Sequence, residues 1–421
     1  MRAVDLSPVR EGDQTQSPFD LFLIFVGANI VATTLQVGAS LPASLGRSAA
    51  LWVIAAGAIA GAALVAVLAP IGSRLRVPSI VAARAALGMS GAQGLAVLLF
   101  LTNFAWIALN NVIAASISVT LTGVGTVAIW ATLLGLLATL VVLGGPRAAA
   151  LVDRIAVPLL LVSGAVLTIA CLRAAATPGG AAAAAGAPPT AAAFLSGFDV
   201  VAGYQASWLL MFADYPRYVR SGRGAGLAVF VGLAATALWF MPLGLIASAV
   251  AGSPNPGRMV YALGVGGWGA VLLTLATLTT NFVNIYMSAL ALKSLRPATS
   301  DGAAVWLIGG VGAALGLLST TLIDRFAELT LLLAGALVPI GGILLAHYFV
   351  LRAPVHVPDL YASDGPYGVN RGWSTAGTAA WAAGAVMFYA AQSIGGSMPS
   401  LVTAIVVYLA VARRQTKPTA A

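Results

Sequence analysis

The segment from Leu21 to Leu41, LFLIFVGANIVATTLQVGASL, decides the fold. Its length matches the roughly 20 apolar residues that a helix needs to cross the hydrocarbon core of a bilayer. Small and polar residues interrupt it, first in the triplet GAN at 27–29 and then at Thr33, Thr34 and Gln36. Because unsatisfied polar groups are costly in hydrocarbon, this pattern predicts a membrane helix that breaks near its middle and exposes backbone carbonyls. The alternative is an unbroken helix whose small residues let a neighbouring helix pack closely.

The composition of the whole chain is typical of a membrane protein. Of its 421 residues, 60% are hydrophobic and 8% are charged, against about 45–50% and about 25% in soluble domains. A mean hydropathy of +0.97 excludes a disordered chain. One cysteine, Cys171, and two histidines, His347 and His356, exclude a disulfide framework and a cysteine or histidine metal centre. The net charge of +9 is dispersed between apolar runs, so it indicates membrane topology rather than binding of nucleic acid.

Twelve apolar runs predict an all-α polytopic protein with twelve transmembrane helices. The runs are Leu21–Leu41, Leu51–Ala69, Gly91–Thr120, Gly125–Leu143, Leu151–Leu172, Phe194–Ala213, Gly224–Ala251, Leu263–Leu292, Ala303–Thr321, Phe326–Val350, Ser374–Gln392 and Met398–Val411. Most Lys and Arg residues fall in connections that share the side of the N-terminus, which predicts cytoplasmic N- and C-termini in the inner (plasma) membrane. The first residues lack the layout of a cleaved signal peptide, so we expect the first span to be retained.

An uncharged linker rich in Ala, Gly and Pro separates the fifth run from the sixth. It predicts a flexible extracellular connection between two sets of five helices, which is where an inverted repeat would be joined. The predicted organisation is a cytoplasmic tail at 1–17, a first five-helix repeat at 18–172, the linker at 173–193, a second repeat at 194–350, helices 11 and 12 at 351–412, and a cytoplasmic tail at 413–421.

The third run places Asn103, Trp106 and Asn110 three and four residues apart, and therefore on one helical face. An indole flanked by two amides suits a flat heterocycle, because the ring can stack on the indole while the amides donate and accept hydrogen bonds at its edge. The alternative is a packed tryptophan whose neighbouring amides bind adjacent helices.

The sixth run is interrupted near its middle by Gly203, Tyr204, Gln205 and Ser207, with Trp208 next in sequence. Broken helices at corresponding positions of two halves are typical of the central site of a secondary transporter. Asp214 and Arg217 lie at the predicted cytoplasmic end, where structural or gating roles are expected.

The eighth run carries Thr279, Thr280, Asn281 and Asn284. Threonine hydroxyls are hard oxygen ligands of the kind that Na⁺ accepts, although hydroxyls in membrane helices also bond to their own backbone. No carboxylate lies at the centre of a predicted span, whereas proton relays usually contain one. The sequence therefore favours Na⁺ over H⁺ as the coupling cation and leaves H⁺ as the alternative.

At these residues the chain resembles the nucleobase:cation symporter-1 family, which includes transporters of purines, cytosine, hydantoins, allantoin and hydroxymethylpyrimidine. The resemblance covers most of the chain. The motifs that carry it are RVP at 76–78 with RAALG at 84–88, SW at 207–208 with ADYPRY at 213–218, TTN at 279–281, and VPIGGILLAHY at 338–348. The SW pair is similar to the hydroxymethylpyrimidine branch.

The resemblance implies a LeuT-like fold, with a five-plus-five inverted repeat and two further helices, that holds a planar base between its first, third, sixth and eighth helices. It implies that Trp106 stacks on the ring, that Asn103 replaces a glutamine that contacts the base in cytosine permeases, and that Asn110 occupies a hydantoin contact position. A family aromatic of the sixth span is replaced by Gln205. Either Tyr204 or Trp208 then forms the second wall, or Gln205 contacts the ring edge.

The resemblance also implies a sodium site made of first-span carbonyls and eighth-span oxygens, which match Gly27, Ile30, Thr279 and Thr280. The candidate substrate-binding residues of the first, third, sixth and eighth spans are Gln36, Asn103, Trp106, Asn110, Tyr204, Gln205, Ser207, Trp208, Asn281 and Asn284.

Together these observations predict a secondary active transporter that imports a nucleobase or related planar heterocycle by cation symport. The substrate stays open among cytosine, other pyrimidines, purines, hydroxymethylpyrimidine and allantoin. We expect no resident cofactor, no nucleic-acid partner, a bilayer environment and function as a monomer. The alternatives are an amino-acid or other small-solute symporter on the same fold, or a channel. An enzyme is disfavoured because the spans lack paired carboxylates, a histidine cluster, or a nucleophile beside a base.

Overall fold

Helices and the loops that connect them make up the part of the protein described by a computed structural model, which comprises residues 6–144, 146–176, 190–296 and 298–415. The first eight helices are α1 (Pro18–Asn29), α2 (Ala32–Ala39), α3 (Gly46–Leu75), α4 (Ser79–Thr122), α5 (Val127–Leu143), α6 (Pro146–Ala176), α7 (Ala191–Ala206) and α8 (Gly222–Ala251). The remaining helices are α9 (Pro256–Ala262), α10 (Gly266–Leu295), α11 (Asp301–Leu315), α12 (Ser319–Asp324), α13 (Phe326–Leu345), α14 (Thr375–Ala390) and α15 (Ser397–Gln415). Most of the predicted linker, residues 177–189, lies outside the described residues.

Every predicted apolar run contains a helix, but not every helix is a long span. Within the described residues, seven helices are long and apolar enough to cross a membrane, or eight if the bent pair α1 and α2 counts as one span. The remaining four runs carry α5, α7, α14 and α15. The class of fold is thus the predicted all-α membrane protein.

The predicted break in the first span is present. Helix α1 begins with a capping box, in which Ser17 accepts from the Asp20 backbone N–H while the Asp20 carboxylate accepts from the Ser17 N–H. It ends at Asn29, and α2 continues from Ala32 at an angle of 58° to α1. Among the described residues, no backbone N–H donates to the carbonyls of Gly27, Ala28 or Ile30. The break therefore exposes carbonyl oxygens inside the protein.

The sixth span changes its helix type instead of bending sharply. Helix α7 ends at Ala206 and the chain continues as a 3-10 helix from Ser207 to Met211. The Ser207 hydroxyl donates to the Tyr204 carbonyl at 2.7 Å and so binds a carbonyl near the end of α7. The change follows the polar residues predicted to interrupt this span.

Two groups of helices face each other across the break. Helices α1, α2 and α3 pack against α8, and α7 packs against α3, while α4, α5, α10 and α11 pack against one another. Glycines permit the closest approaches: a Cβ at Gly38 would overlap the Met241 carbonyl of α8, and a Cβ at Gly244 would overlap the Leu35 carbonyl of α2. Helices α13, α14 and α15 pack together beside α7.

The third span differs from its predicted boundary. The sequence predicted a helix from Gly91, preceded by a connection that contains Arg84, whereas α4 already begins at Ser79 and bends at Gly88, where φ is +79°. A Cβ at Gly88 would overlap the Gly372 carbonyl, because it would lie closer than real Cβ contacts allow. Glycine thus permits both the backbone conformation and the contact.

Candidate substrate and ion site

A small cleft with a cavity volume of about 50 Å³ opens where the two groups of helices meet at the break in the first span. Its walls come from the α1–α2 junction, α4, α10, and the end of α7 with its 3-10 extension. The lining residues are Ala28, Val31, Thr33, Asn103, Trp106, Asn110, Tyr204, Ser207, Trp208, Leu210, Met211, Thr280 and Asn284. Four spans separated in sequence therefore meet at one site.

Trp106 forms an aromatic wall of this cleft. Its side chain is 8% exposed, and its indole meets the Tyr204 ring edge to face, with ring centroids 5.5 Å apart and an interplanar angle of 89°. Phe326 of α13 contacts the indole from another direction at 6.3 Å. On the other side of the cleft, Trp208 packs edge to face against Phe25 at 5.7 Å. Two indoles held by other aromatic rings thus contribute to the lining.

Two amides on the same face of α4 present polar atoms with no hydrogen-bond partner. Among the described residues, Asn103 Nδ2 and Asn110 Oδ1 are buried and unpartnered. Both residues line the cleft, one turn before and one turn after Trp106. Because buried polar groups are normally hydrogen-bonded, one donor and one acceptor here are available for a ligand.

Tyr204 connects the broken first span to α7. Its hydroxyl lies 3.2 Å from Thr33 Oγ1 and 2.8 Å from Thr34 Oγ1. The Thr34 hydroxyl also lies 2.6 Å from the Asn29 carbonyl, which can only accept. Thr34 therefore donates to Asn29 and accepts from Tyr204, and Tyr204 accepts from Thr33. This chain of bonds provides a partner for a carbonyl at the end of α1.

Three predicted substrate residues lie outside the cleft. Gln205 is fully buried, and its Nε2 donates to the Leu233 carbonyl of α8 at 3.1 Å. Gln36 Nε2 donates to the Pro254 carbonyl at 3.1 Å. Asn281 is fully buried behind Asn110, whose Nδ2 donates to Asn281 Oδ1 at 3.0 Å. Gln205 and Gln36 hold helices together in this structure, and Asn281 contacts the cleft only through Asn110.

The candidate sodium ligands divide in a similar way. Thr280 lines the cleft together with Ala28 and Val31, whereas Thr279 is largely buried and does not line it. The exposed carbonyls of Gly27, Ala28 and Ile30 lie at the α1–α2 junction. Carbonyl and hydroxyl oxygens are hard ligands that suit a small hard cation. Within the described residues, no three His, Cys, Asp or Glu side chains form a metal-binding group.

Sequence reasoning missed several lining residues. Val31 and Thr33 line the cleft because they lie where α2 begins, after the break in the first span. Leu210 and Met211 line it because the chain continues as a 3-10 helix after Ala206. Thr33 is one of the polar residues that interrupt the first apolar run, but nothing in the apolar residues at 210 and 211 distinguishes them from lipid-facing positions.

The architecture is that of the LeuT fold, with a broken first helix and a site between two helix groups. A structure described as Mhp1, a nucleobase-cation-symport-1 family transporter in a closed conformation with bromovinylhydantoin bound, is similar with a TM-score of 0.79 and 20% identity, covering 99% of this chain and 96% of that one. Mhp1 in an inward-facing conformation gives a TM-score of 0.82 and 20% identity over 97% of this chain and 93% of that one. A Na⁺-coupled sialic acid symporter in a substrate-bound outward-open state gives 0.58 and 12%, covering 97% and 98%.

A family model described as a permease for cytosine/purines, uracil, thiamine and allantoin matches residues 8–409. The chain therefore belongs to this family, the nucleobase–cation symporters, and is a cation-coupled membrane transporter. A search of curated proteins by sequence found no match.

Proposed function

We propose that the protein imports a small planar nitrogen heterocycle together with Na⁺. The observation that carries this proposal is the indole of Trp106 between two unpartnered amide atoms, Asn103 Nδ2 and Asn110 Oδ1, at a broken helix. A flat ring on the indole covers apolar surface on its face, while ring nitrogens and carbonyls at its edge supply the missing hydrogen bonds. Trp208 and Tyr204 complete the walls on the side of α7.

The ion is proposed to bind at the α1–α2 junction. The carbonyls of Gly27 and Ile30 lack backbone donors, and Thr280 of α10 borders the same cleft. Thr279, from the same pair, completes the oxygen set in this proposal. Because these oxygens come from both helix groups, an ion held among them favours the conformation in which the groups are apposed.

The ion and the substrate bind to the same conformation of the two helix groups, so the binding of one favours the binding of the other. The Tyr204 hydroxyl connects α7, which borders the substrate, with Thr33 and Thr34 at the junction that borders the ion. Moving one positive charge inward through 100 mV releases about 2.3 kcal/mol, which can drive accumulation when the two bind together. We place both termini in the cytoplasm of a plasma-membrane protein that works as a monomer and rocks one helix group against the other.

Uptake into proteoliposomes tests the proposal. Purified protein is reconstituted and given an inward Na⁺ gradient, an inward H⁺ gradient, or neither, with radiolabelled uracil, cytosine, adenine, hydantoin and allantoin. We expect at least one of these rings to accumulate, and only when Na⁺ is present outside. Accumulation driven equally well by H⁺ alone would contradict the sodium assignment. Competition by amino acids but by none of the rings would contradict the substrate assignment.

A further inference from the structure

A chain of three asparagine amides runs from α11 to the cleft. Asn111 Nδ2 donates to the Gly312 carbonyl at 3.4 Å. Asn281 Nδ2 donates to Asn111 Oδ1 at 2.7 Å and to the Ile107 carbonyl at 3.3 Å. Asn110 Nδ2 then donates to Asn281 Oδ1 at 3.0 Å. We call Asn111, Asn281 and Asn110 the amide relay.

Backbone carbonyls fix the direction of this relay. Oxygen and nitrogen of an amide are nearly alike in shape, so the orientation of an isolated asparagine is ambiguous. The carbonyls of Gly312 and Ile107 can only accept, so Asn111 and Asn281 must direct their Nδ2 groups toward them. Asn281 Oδ1 is then an acceptor, and Asn110 must donate to it. Reversing Asn110 would bring two oxygens face to face.

We infer that the amide relay makes Asn110 an obligatory acceptor toward the cleft, so that the transported ring must present an N–H group there. Asn110 Oδ1 is buried and has no partner among the described residues, and Asn110 lines the cleft while Asn281 does not. Asn281 is thus a positioning residue that sets specificity through Asn110 without contacting the substrate. This inference rests on the proposed function, because it assumes that a heterocycle occupies the cleft.

The consequence is discrimination between a ring N–H and an N-methyl group. Leaving a buried acceptor without a donor costs about 1–3 kcal/mol, which corresponds to a roughly 5- to 150-fold change in affinity. In the Asn281→Ala variant, Asn110 loses its fixed partner and can turn either end of its amide toward the ligand. Its Nδ2 can then donate to a ring carbonyl, so the preference for an N–H ligand should decrease.

The test measures dissociation constants of three pairs by calorimetry with the purified full-length protein in saturating Na⁺. The pairs are uracil with 1,3-dimethyluracil, hydantoin with 1,3-dimethylhydantoin, and xanthine with caffeine. Each second member keeps its ring carbonyls and lacks every ring N–H. We expect the wild type to bind the N–H member at least about 5-fold more tightly, and Asn281→Ala to reduce this ratio to about 3-fold or less. Ser118→Ala removes a buried hydroxyl of α4 that donates to the Ala114 carbonyl, and it should leave the ratio unchanged.

The outcomes separate the inference from the function beneath it. If the wild type binds a methylated ring as well as its N–H partner, or if Asn281→Ala weakens both members of a pair equally, the inference is overturned while the cleft remains a heterocycle site. If Asn281→Ala does not fold, Asn110→Leu is measured instead. A retained N–H preference in that variant overturns the inference. If no ring binds the wild type, the proposed function is overturned, and the inference with it.

Discussion

The Tyr204 hydroxyl provides a direct test of the connection between the ion site and α7. Tyr204→Phe removes an oxygen that bonds to Thr33 Oγ1 at 3.2 Å and to Thr34 Oγ1 at 2.8 Å, while the ring that packs on Trp106 stays in place. Each lost bond is worth about 0.5–1.5 kcal/mol, so the two together contribute about 1–3 kcal/mol. This free energy stabilises the junction in the geometry that exposes the α1 carbonyls.

If the full amount is lost from the ion-binding conformation, the affinity for Na⁺ decreases by roughly 5- to 150-fold. The assay is a Na⁺ titration of binding of the heterocycle that the proteoliposome experiment identifies, followed by intrinsic tryptophan fluorescence. We expect the Na⁺ midpoint to rise within this range and the amplitude at saturating Na⁺ to persist, because the aromatic wall is intact.

The matched control is Tyr261→Phe. Tyr261 lies on α9 and is 79% exposed, so its hydroxyl should not affect the junction. Thermal unfolding of both variants shows whether they remain folded. A folded Tyr204→Phe protein with the wild-type Na⁺ midpoint would refute the reasoning, because the hydroxyl would then hold neither the junction nor the ion.

Three further variants test the ion site and the packing around it. Thr280→Val should weaken Na⁺ affinity by at least about 10-fold, since even outer-shell changes at metal sites cost that much, whereas Thr274→Val on the same helix should not; equal titrations would contradict the assignment. Gly38→Ala places a Cβ against the backbone of α8 and should reduce the free energy of unfolding by about 1–3 kcal/mol. In the control Gly310→Ala, the new Cβ meets nothing within 4 Å, so thermal unfolding should show a neutral or stabilising effect. Asp199→Ala removes the acceptor of two backbone N–H groups at the start of α15. It should reduce the free energy of unfolding by at least about 2 kcal/mol in denaturant titrations. A loss near zero would mean that this buried carboxylate does not hold α15.

The sequence predicted the broken first helix because its polar residues stand out in an apolar run. It did not predict that α1 would end at Asn29 and α2 would begin at Ala32. The Asn29 amide donates to the Leu233 carbonyl and to Thr236 Oγ1 of α8, at 3.2 and 2.8 Å, and so fixes the end of α1. Those partners lie more than 200 residues away in sequence, where local pattern carries no information.

In α4, helical periodicity predicted the site correctly, since Asn103, Trp106 and Asn110 share a face that lines the cleft. The sequence could not predict the direction of a side chain where contacts with a neighbouring helix decide it. Gln205 adjoins Tyr204 yet turns toward α3, where a Cβ at Gly61 would lie 2.5 Å from the Gln205 Cβ. Asn281 belongs to a polar cluster of the predicted site, but its bonds to Asn111 and Ile107 direct it into the helix interface.

The early start of α4 escaped prediction for a different reason. The residues from Ser79 to Gly88 include Arg84 and lie in the predicted connection before the third apolar run, although most of them favour helix. At the bend, the Gly88 backbone lies against the Gly372 carbonyl, in a segment near the other end of the chain. The local sequence indicates that these residues form a helix, but it does not indicate the direction that the helix takes after Gly88.

The central claim is that a planar ring binds on the indole of Trp106, and uptake by Trp106→Ala in proteoliposomes tests it most directly. Trp268→Ala is the matched control, because that tryptophan is 84% exposed. With an inward Na⁺ gradient, we predict that Trp106→Ala folds but accumulates none of the heterocycle, that Trp106→Phe retains part of the transport, and that Trp268→Ala transports as the wild type does. Wild-type accumulation of the heterocycle by the Trp106→Ala protein would contradict the account.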